Sequence, residues 1–289
     1  MFSQNVEIVQ SIKEKLSQIE RRENIRILYA CESGSRAWGF ASEDSDYDVR
    51  FVYVRPLEDY LRIKDLPDFI DGELNEVYDI NGWDFKKFCN QLNKSNPVLF
   101  EWIQSPIVYK STSEWEEFRE QFLSCFNDAP VFYHYFGMAK KNIFDLIDSK
   151  EKCNLSKKSD CNELSIAFEN SIDDVSYKKY LYVLRPILAC QWIKNYKSIV
   201  PTEFIKLVDE SLPEELKPCV MKLLELKRNS SEKQNGKRIE KLDNYINCKI
   251  QEMATYKKSK TDDFYFENLD LIFQKILKVG VAGGVGWKS

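Results

Sequence analysis

The chain has 289 residues, with 42 Lys and Arg against 46 Asp and Glu, a formal net charge of −4. Forty-three per cent of it is hydrophobic, including 18 Phe, 15 Tyr and 6 Trp, enough for one large core or two smaller ones. Ten Gly and nine Pro exclude fibrous and low-complexity classes. No apolar run approaches the ~20 residues of a membrane span, and Met1 to Glu7 lacks the basic and apolar regions of a secretory signal.

Val6, Ile8, Val9, Ile12, Leu16 and Ile19 recur at helical spacing and predict an amphipathic helix over 6–24. Ile25 to Cys31 is a short apolar run with β character that leaves into the turn Glu32-Ser33-Gly34-Ser35. Arg36 to Phe40 fits one helical turn, and residues 41–45 form a polar loop. Asp46 to Val54 alternates as a second strand, which Pro56 ends. A short helix is expected over 57–63, then a polar stretch with Pro67 and Gly72. Residues 75–83 form a third strand. A helix over 84–92 follows, capped near Asn81 or Trp83, then a helix from Asn96-Pro97 and a short strand at Ile107-Val108-Tyr109. Beyond residue 112 the pattern is helical: 113–126, 130–149, 160–173, 176–195, 201–209, 213–228, 233–258 and 263–278. The expectation is an α+β fold, with a mixed sheet flanked by helices over 1–112, an all-α domain over 113–279, and a flexible tail over 280–289.

Eight cysteines are scattered with no CxxC pair, and His134 is the single histidine. This reads as reduced thiols in a cytoplasmic protein. It excludes a zinc centre and Ser-His-Asp chemistry. Residues 1–150 hold 18 basic and 26 acidic residues, residues 151–289 hold 24 and 20. The two parts therefore differ in charge, and overall acidity argues against strong nonspecific nucleic-acid binding.

The segment with chemistry is Gly34-Ser35, ten residues, then Asp46-Tyr47-Asp48. Residues two apart on a strand share a face, so Asp46 and Asp48 should project together. Two carboxylates held close repel unless a positive charge sits between them. A hard divalent cation is the ordinary remedy, and oxygen donors without His or Cys favour Mg²⁺ or Mn²⁺. A Gly-Ser turn can offer backbone N–H groups to phosphate. Asp79, on the third strand, can supply a further carboxylate. Two ions ~3.5–4 Å apart would then serve the attacking and leaving oxygens of a phosphoryl transfer. Glu76 competes for this role but is out of phase with Asp79. Each feature alone is common in surface strands; their order on successive strands is specific.

These residues resemble the signature of the DNA polymerase β-like nucleotidyltransferase superfamily. More narrowly, Tyr29 to Phe40 with Asp44 to Phe51 resembles a bacterial and phage family of predicted nucleotidyltransferases that includes YcgL-like and RNA-ligase-associated RlaP proteins. The likeness continues through Asp79-Ile80-Asn81-Gly82-Trp83-Asp84, Lys94 to Pro97, Glu101-Trp102, Tyr133-His134-Tyr135 with Lys140-Lys141, and Lys179 to Pro186. It implies a mixed-sheet catalytic core, then a helical domain, with nucleotide bound between them. It implies that Asp46 and Asp48 bind the metals, that Asp79 completes the site and helps activate the acceptor hydroxyl, and that Gly34 and Ser35 hold the triphosphate.

Arg36 is a candidate phosphate contact beside that turn, and Lys140 and Lys179 are candidates from the helices. Arg50 is expected to pair with an acid. Arg185 is expected as a buried ion-pair partner or a ligand. Trp38 and Trp83 are expected in packing, and His134 as a packed helix residue rather than a base. The reading is a Mg²⁺- or Mn²⁺-dependent transferase using two ions. It moves a nucleoside monophosphate from a nucleoside triphosphate to an acceptor hydroxyl and releases pyrophosphate. The favoured acceptor is an RNA 3′ end of tRNA-like kind. Nucleotidylation of a small molecule or protein is one alternative, and a non-catalytic nucleotide- or RNA-binding module is another.

Overall fold

The apolar run after the first helix becomes an interior strand of a sheet, and the front half is arranged around that sheet. The computed structural model describes residues 6–42, 44–153, 155, 160–172, 174–229, 235–256 and 266–282. The chain divides into two compact units: Met1–Ala37 with Asp46–Phe126 and Asp262–Ser289, and Trp38–Ser45 with Asn127–Thr261. In the first, α1 (Val6–Glu23), β1 (Arg26–Glu32), α2 (Gly34–Trp38), β2 (Tyr47–Val54), α3 (Leu57–Tyr60), β3 (Phe69–Leu74), β4 (Tyr78–Asp84), α4 (Phe85–Asn93), α5 (Pro97–Ile103), β5 (Val108–Ser111) and α6 (Ser113–Ser124) follow in order.

The strands form one sheet in the order β3-β4-β2-β1-β5. β1 runs antiparallel to β2 and β5, and β3 to β4, whereas β2 and β4 are parallel. A parallel pair needs a crossover. Here the connection passes through α3 and β3, and β3 then pairs on the far side of β4. Ile12, Leu16 and Ile19 of α1 cover one face of the sheet with Val49, Phe51 and Tyr53 of β2 and Ile80 of β4. On β1, Trp115 of α6 stacks on Tyr29 with ring centroids 4.5 Å apart. Phe85 and Phe88 of α4 extend that aromatic layer to Phe122.

The second unit holds α7 (Asp128–Leu146), α8 (Ser149–Lys152), α9 (Cys161–Asn170), β6 (Val175–Ser176), α10 (Tyr177–Tyr196), α11 (Phe204–Ser211), α12 (Lys217–Asn229), β7 (Asn235–Gly236) and α13 (Glu240–Ala254). Buried residues run round all sides of α10, as expected of a central helix, and α7, α11, α12 and α13 pack on it. The segment 38–45 belongs here because Phe40 packs on Tyr182 and Phe204. The guanidinium of Arg185, a buried side chain beside Pro186, lies 4.3 Å from the Trp38 ring centroid. The last helix, α14 (Phe266–Ala282), counts with the sheet unit. Its Phe273 meets Tyr60 and Phe85, and its Ile276 carbonyl accepts from Arg26 at 3.3 Å.

Several elements differ from expectation. The expected polar stretch contains β3; at the sheet edge only Ile70 of its six residues is buried, so no alternation marks it in the sequence. α3 stops at Tyr60 rather than residue 63. The cap of α4 is Asp84, which accepts from the Lys86 N–H at 2.8 Å, and not Asn81 or Trp83. The expected helix from 233 begins at Glu240, after Asn235–Gly236 pairs with β6. By contacts, α6 and α14 group with the sheet, whereas the periodicity placed the division at residue 112. Of the expected tail, residues 280–282 end α14, and 283–289 lie outside the described residues. No described helix is long and apolar enough to cross a membrane.

Gly82 of β4 lies opposite Phe51 of β2 in the parallel register. A Cβ at this glycine would meet the Phe51 ring at 2.1 Å, and that ring is fully buried. Gly82→Ala should therefore destabilise the sheet unit by about 1–3 kcal/mol, the usual cost of overpacking. Urea denaturation followed by circular dichroism should show a lower midpoint.

Candidate active site

The parallel register decides which side chains meet. It sets Asp48 opposite Asp79, Arg50 opposite Asn81 and Val52 opposite Trp83. Strand alternation puts all six on the face opposite α1, because the intervening Val49, Phe51 and Ile80 pack against α1. Toward the C-terminal ends of the strands this face is apolar, with Trp83 packed on Trp102. At the N-terminal ends it is charged.

Arg50 organises the charged end. Its Nη2 donates to Asp48 Oδ1 at 3.2 Å and to Asp79 Oδ2 at 2.7 Å. Its Nη1 donates to the backbone carbonyls of Asp79 at 2.7 Å and Val49 at 3.1 Å. Asn81 donates to Asp79 Oδ1 at 3.2 Å. The three charged side chains are 16% to 28% exposed, so water screens them only in part. The guanidinium is the positive charge that two adjacent carboxylates require.

The Gly-Ser turn closes on the same carboxylate. Gly34 has φ +59°, and a Cβ there would lie 2.0 Å from Asp48 Oδ2. Left-handed backbone and close approach both demand glycine at this point. The turn is fixed by Ser33 N–H, which donates to the Asp48 carbonyl at 2.8 Å. Ser35, in the short α2, is buried. Arg36 stacks on the Tyr47 ring at 3.8 Å and donates to the Asp46 carbonyl at 3.1 Å.

Glu32, at the end of β1, is fully buried beneath this turn. It accepts from the Asp48 N–H at 2.9 Å and from the Tyr109 hydroxyl. Burial pushes its carboxyl up to about 7, and the two hydrogen bonds oppose that rise only in part. Sequence reasoning named Glu32 only as a turn residue. Its partner Tyr109 lies 77 residues away, and no local signal connects them.

The expected residues are brought together unevenly. Asp48, Asp79, Gly34 and Ser35 cluster. Asp46 sits one residue ahead of β2 and is exposed, so the strand ladder does not enforce the shared face expected for it. Among the described residues, no three His, Cys, Asp or Glu side chains group closely enough to hold a metal ion. The two carboxylates do fit a hard cation in donor type, and both already reach one cationic nitrogen on Arg50. Glu76 is not on a strand at all; it lies exposed in the bend before β4. Lys140 and Lys179 do not form a pair. Lys140 on α7 lies near Cys161 of α9, whereas Lys179 on α10 donates to the Asp145 carbonyl at 2.9 Å. His134 is exposed rather than packed. Arg185 donates to the Thr202 carbonyl at 3.4 Å. All eight cysteines are free thiols.

A mixed sheet carrying paired carboxylates beside a Gly-Ser turn defines a nucleotidyltransferase-like core. Residues 8–275 match the RNA repair pathway DNA polymerase beta family, RlaP. The chain belongs to that family and is thereby a polymerase beta-like nucleotidyltransferase. It is 37% identical over 280 residues to the Bacillus subtilis protein named Uncharacterized protein YcgL, covering 95% of this chain and 99% of that one. Among solved structures it is similar to a nucleotidyltransferase-like protein from Exiguobacterium sibiricum, at 11% identity and a TM-score of 0.30, over 93% of this chain and 77% of that one. That last likeness is too weak to bear on fold or function.

Arg50→Met leaves Asp48 and Asp79 side by side without their cation. The expected loss is about 1–3 kcal/mol, between the exposed and fully buried cases. In thermal melts, added Mg²⁺ should raise the midpoint of the variant more than that of the wild type. Glu32 predicts a pH dependence. Its folded carboxyl binds a proton more tightly than the unfolded one, so stability should fall as pH rises from about 4.5 to 7 and then level. Across that window the loss amounts to about 3 kcal/mol. Glu32→Gln should flatten that slope in urea titrations run across this window.

Proposed function

We propose that the protein transfers a nucleoside monophosphate from a nucleoside triphosphate to the 3′ hydroxyl of an RNA, releasing pyrophosphate. One observation carries the reading: Asp48 and Asp79 stand in register on adjacent parallel strands, share a single cation, and abut the glycine of the Gly-Ser turn. Binding alone does not call for two converging carboxylates. The family's description as an RNA repair group supports an RNA acceptor. The sheet unit would carry the chemistry.

In this reading Asp48 and Asp79, with Asp46, hold two Mg²⁺ or Mn²⁺ ions. When bound, such ions neutralise the triphosphate and the developing charge on the leaving oxygen. Gly34 and Ser35 hold the phosphates with backbone N–H groups, and Arg36 adds a cation beside them. The acceptor oxygen forms a bond to the α-phosphorus in line with the breaking bond to the pyrophosphate oxygen. Asp79 accepts the hydroxyl proton. Arg50 keeps both carboxylates oriented while they are unloaded, and Glu32 fixes the start of β2 through the Asp48 N–H.

The test is incubation with Mg²⁺, each α-labelled nucleoside triphosphate and total cellular RNA, with products resolved by size. Asp48→Asn should lower labelling by on the order of 100-fold or more, since ion-mediated stabilisation is worth several kcal/mol and each 1.36 kcal/mol is a factor of ten. Label on protein bands, or only on small molecules, would overturn the RNA acceptor. Undiminished labelling by the variant would overturn the site.

A further inference from the structure

Residues 57–77, from α3 through β3 to the residue before β4, hold seven acids against two bases. Three of the acids are answered: Asp59 by Arg62 at 3.1 Å, Asp68 by Lys87 at 2.9 Å and Glu73 by Lys15 at 2.6 Å. The other four, Glu58, Asp65, Asp71 and Glu76, are exposed. Their side chains make no hydrogen bond or ion pair among the described residues. Set against them are Lys64 and, at the start of α4, Lys86, which lines the same cavity as Asp65. Arg55, also there, interacts with the buried Asp84. Acids remain in excess.

The same stretch exposes apolar side chains: Leu61 and Ile63 before β3, Phe69 and Leu74 on it, and Val77 after it. Single exposed apolar residues are ordinary, but a run of them rimmed by charge marks a docking surface. β3 is an outer strand, with β4 as its one neighbour among the described strands. Half of its backbone N–H and C=O groups are therefore open to a further strand. Ile70 and Glu73 turn toward α1, one into the core and one onto Lys15. Phe69 and Asp71, in register with Trp83 and Asn81, take the other face. The irregularity between Asp71 and Glu73 returns Leu74 to that face, opposite Asp79. Apolar, acidic and apolar side chains thus follow one another in a row along the open edge.

We infer that the β3 edge docks an extended segment of a partner protein in which Lys or Arg alternates with apolar side chains. Pairing along the edge supplies main-chain hydrogen bonds, and the alternate side chains supply selectivity. Charge decides among the occupants. RNA meets repulsion from the four open acids. A second copy pairing by the same edge sets Asp71 and its neighbours against their own counterparts, and the irregularity beside Gly72 breaks the flat edge that self-pairing needs. A basic segment meets attraction instead. This docking is independent of the proposed reaction.

The test uses the full chain and a fluorescein-labelled octapeptide of alternating Lys and Val, read by fluorescence anisotropy at about 0.15 M salt. This peptide should bind, and an octapeptide of alternating Glu and Val should not. N-methylation of every second backbone nitrogen keeps the charge and the side chains but removes edge pairing, and should abolish binding. Asp65→Asn/Asp71→Asn should bind the Lys-Val peptide at least about threefold more weakly than the wild type. The same loss of charge elsewhere, as Glu117→Gln/Glu215→Gln at two exposed positions, should stay within about 1.5-fold of it. Phe69→Thr/Leu74→Thr keeps the charge and the strand preference, and should also weaken binding, which separates lost contact from lost charge. No binding of the Lys-Val peptide, equal binding of its N-methylated form, or an equal loss in the control variant overturns the surface. A dimer in sedimentation velocity that the peptide dissociates assigns the edge to a second copy and overturns the basic partner. So does a labelled RNA oligomer whose binding weakens in Phe69→Thr/Leu74→Thr. These readouts need no turnover, so failure of the docking surface and failure of the proposed reaction are told apart.

Discussion

Two carboxylates in register on neighbouring parallel strands repel, and much of the sheet unit is arranged around holding them. β2 and β4 are parallel in an otherwise antiparallel sheet. That single pairing makes Asp48 and Asp79 neighbours. An antiparallel β4 would run the other way and present its opposite end there. The repulsion is met by Arg50, two residues along β2 and therefore on the same face. The close approach of the Gly34 backbone to Asp48 Oδ2 then excludes any side chain at that position. Each component constrains the next: the pairing sets the acids, the acids require the cation, and the carboxylate requires the glycine.

The buried Glu32 opposes this economy. It adds an acidic group immediately beneath the same site, at 0% exposure. A buried ionised carboxyl is costly without partners. Its two hydrogen bonds, from Tyr109 on β5 and from the backbone of β2, join three strands at the point where the Gly-Ser turn begins. Proton uptake relieves the cost, so burial pushes its carboxyl up to about 7.

Much of this was legible in the sequence because it depends on short-range pattern. The apolar run of β1, the alternation of β2 and the i, i+2 spacing of acids need no tertiary knowledge. Arg50 was legible as an acid's partner for the same reason, since it shares the face of Asp48. What escaped depends on distant partners or on the absence of burial. β3 is an edge strand with one buried residue, so it carries no periodic signal. Asp46 obeys the spacing but lies outside the ladder that would enforce it. Amphipathic periodicity revealed α6 and α14 as helices but could not say what they cover. Phe273 meeting Tyr60 and Phe85 is a contact between residues some two hundred positions apart.

The charge of the site bears on its proposed use. Asp48 and Asp79 share one cation on Arg50, whose guanidinium stays protonated throughout the accessible pH range. A lysine at position 50 would supply the same charge but not the forked geometry that reaches two carboxylates and two backbone carbonyls at once. In the proposed reaction the arginine is a permanent counterion that fixes the orientation of the two carboxylates.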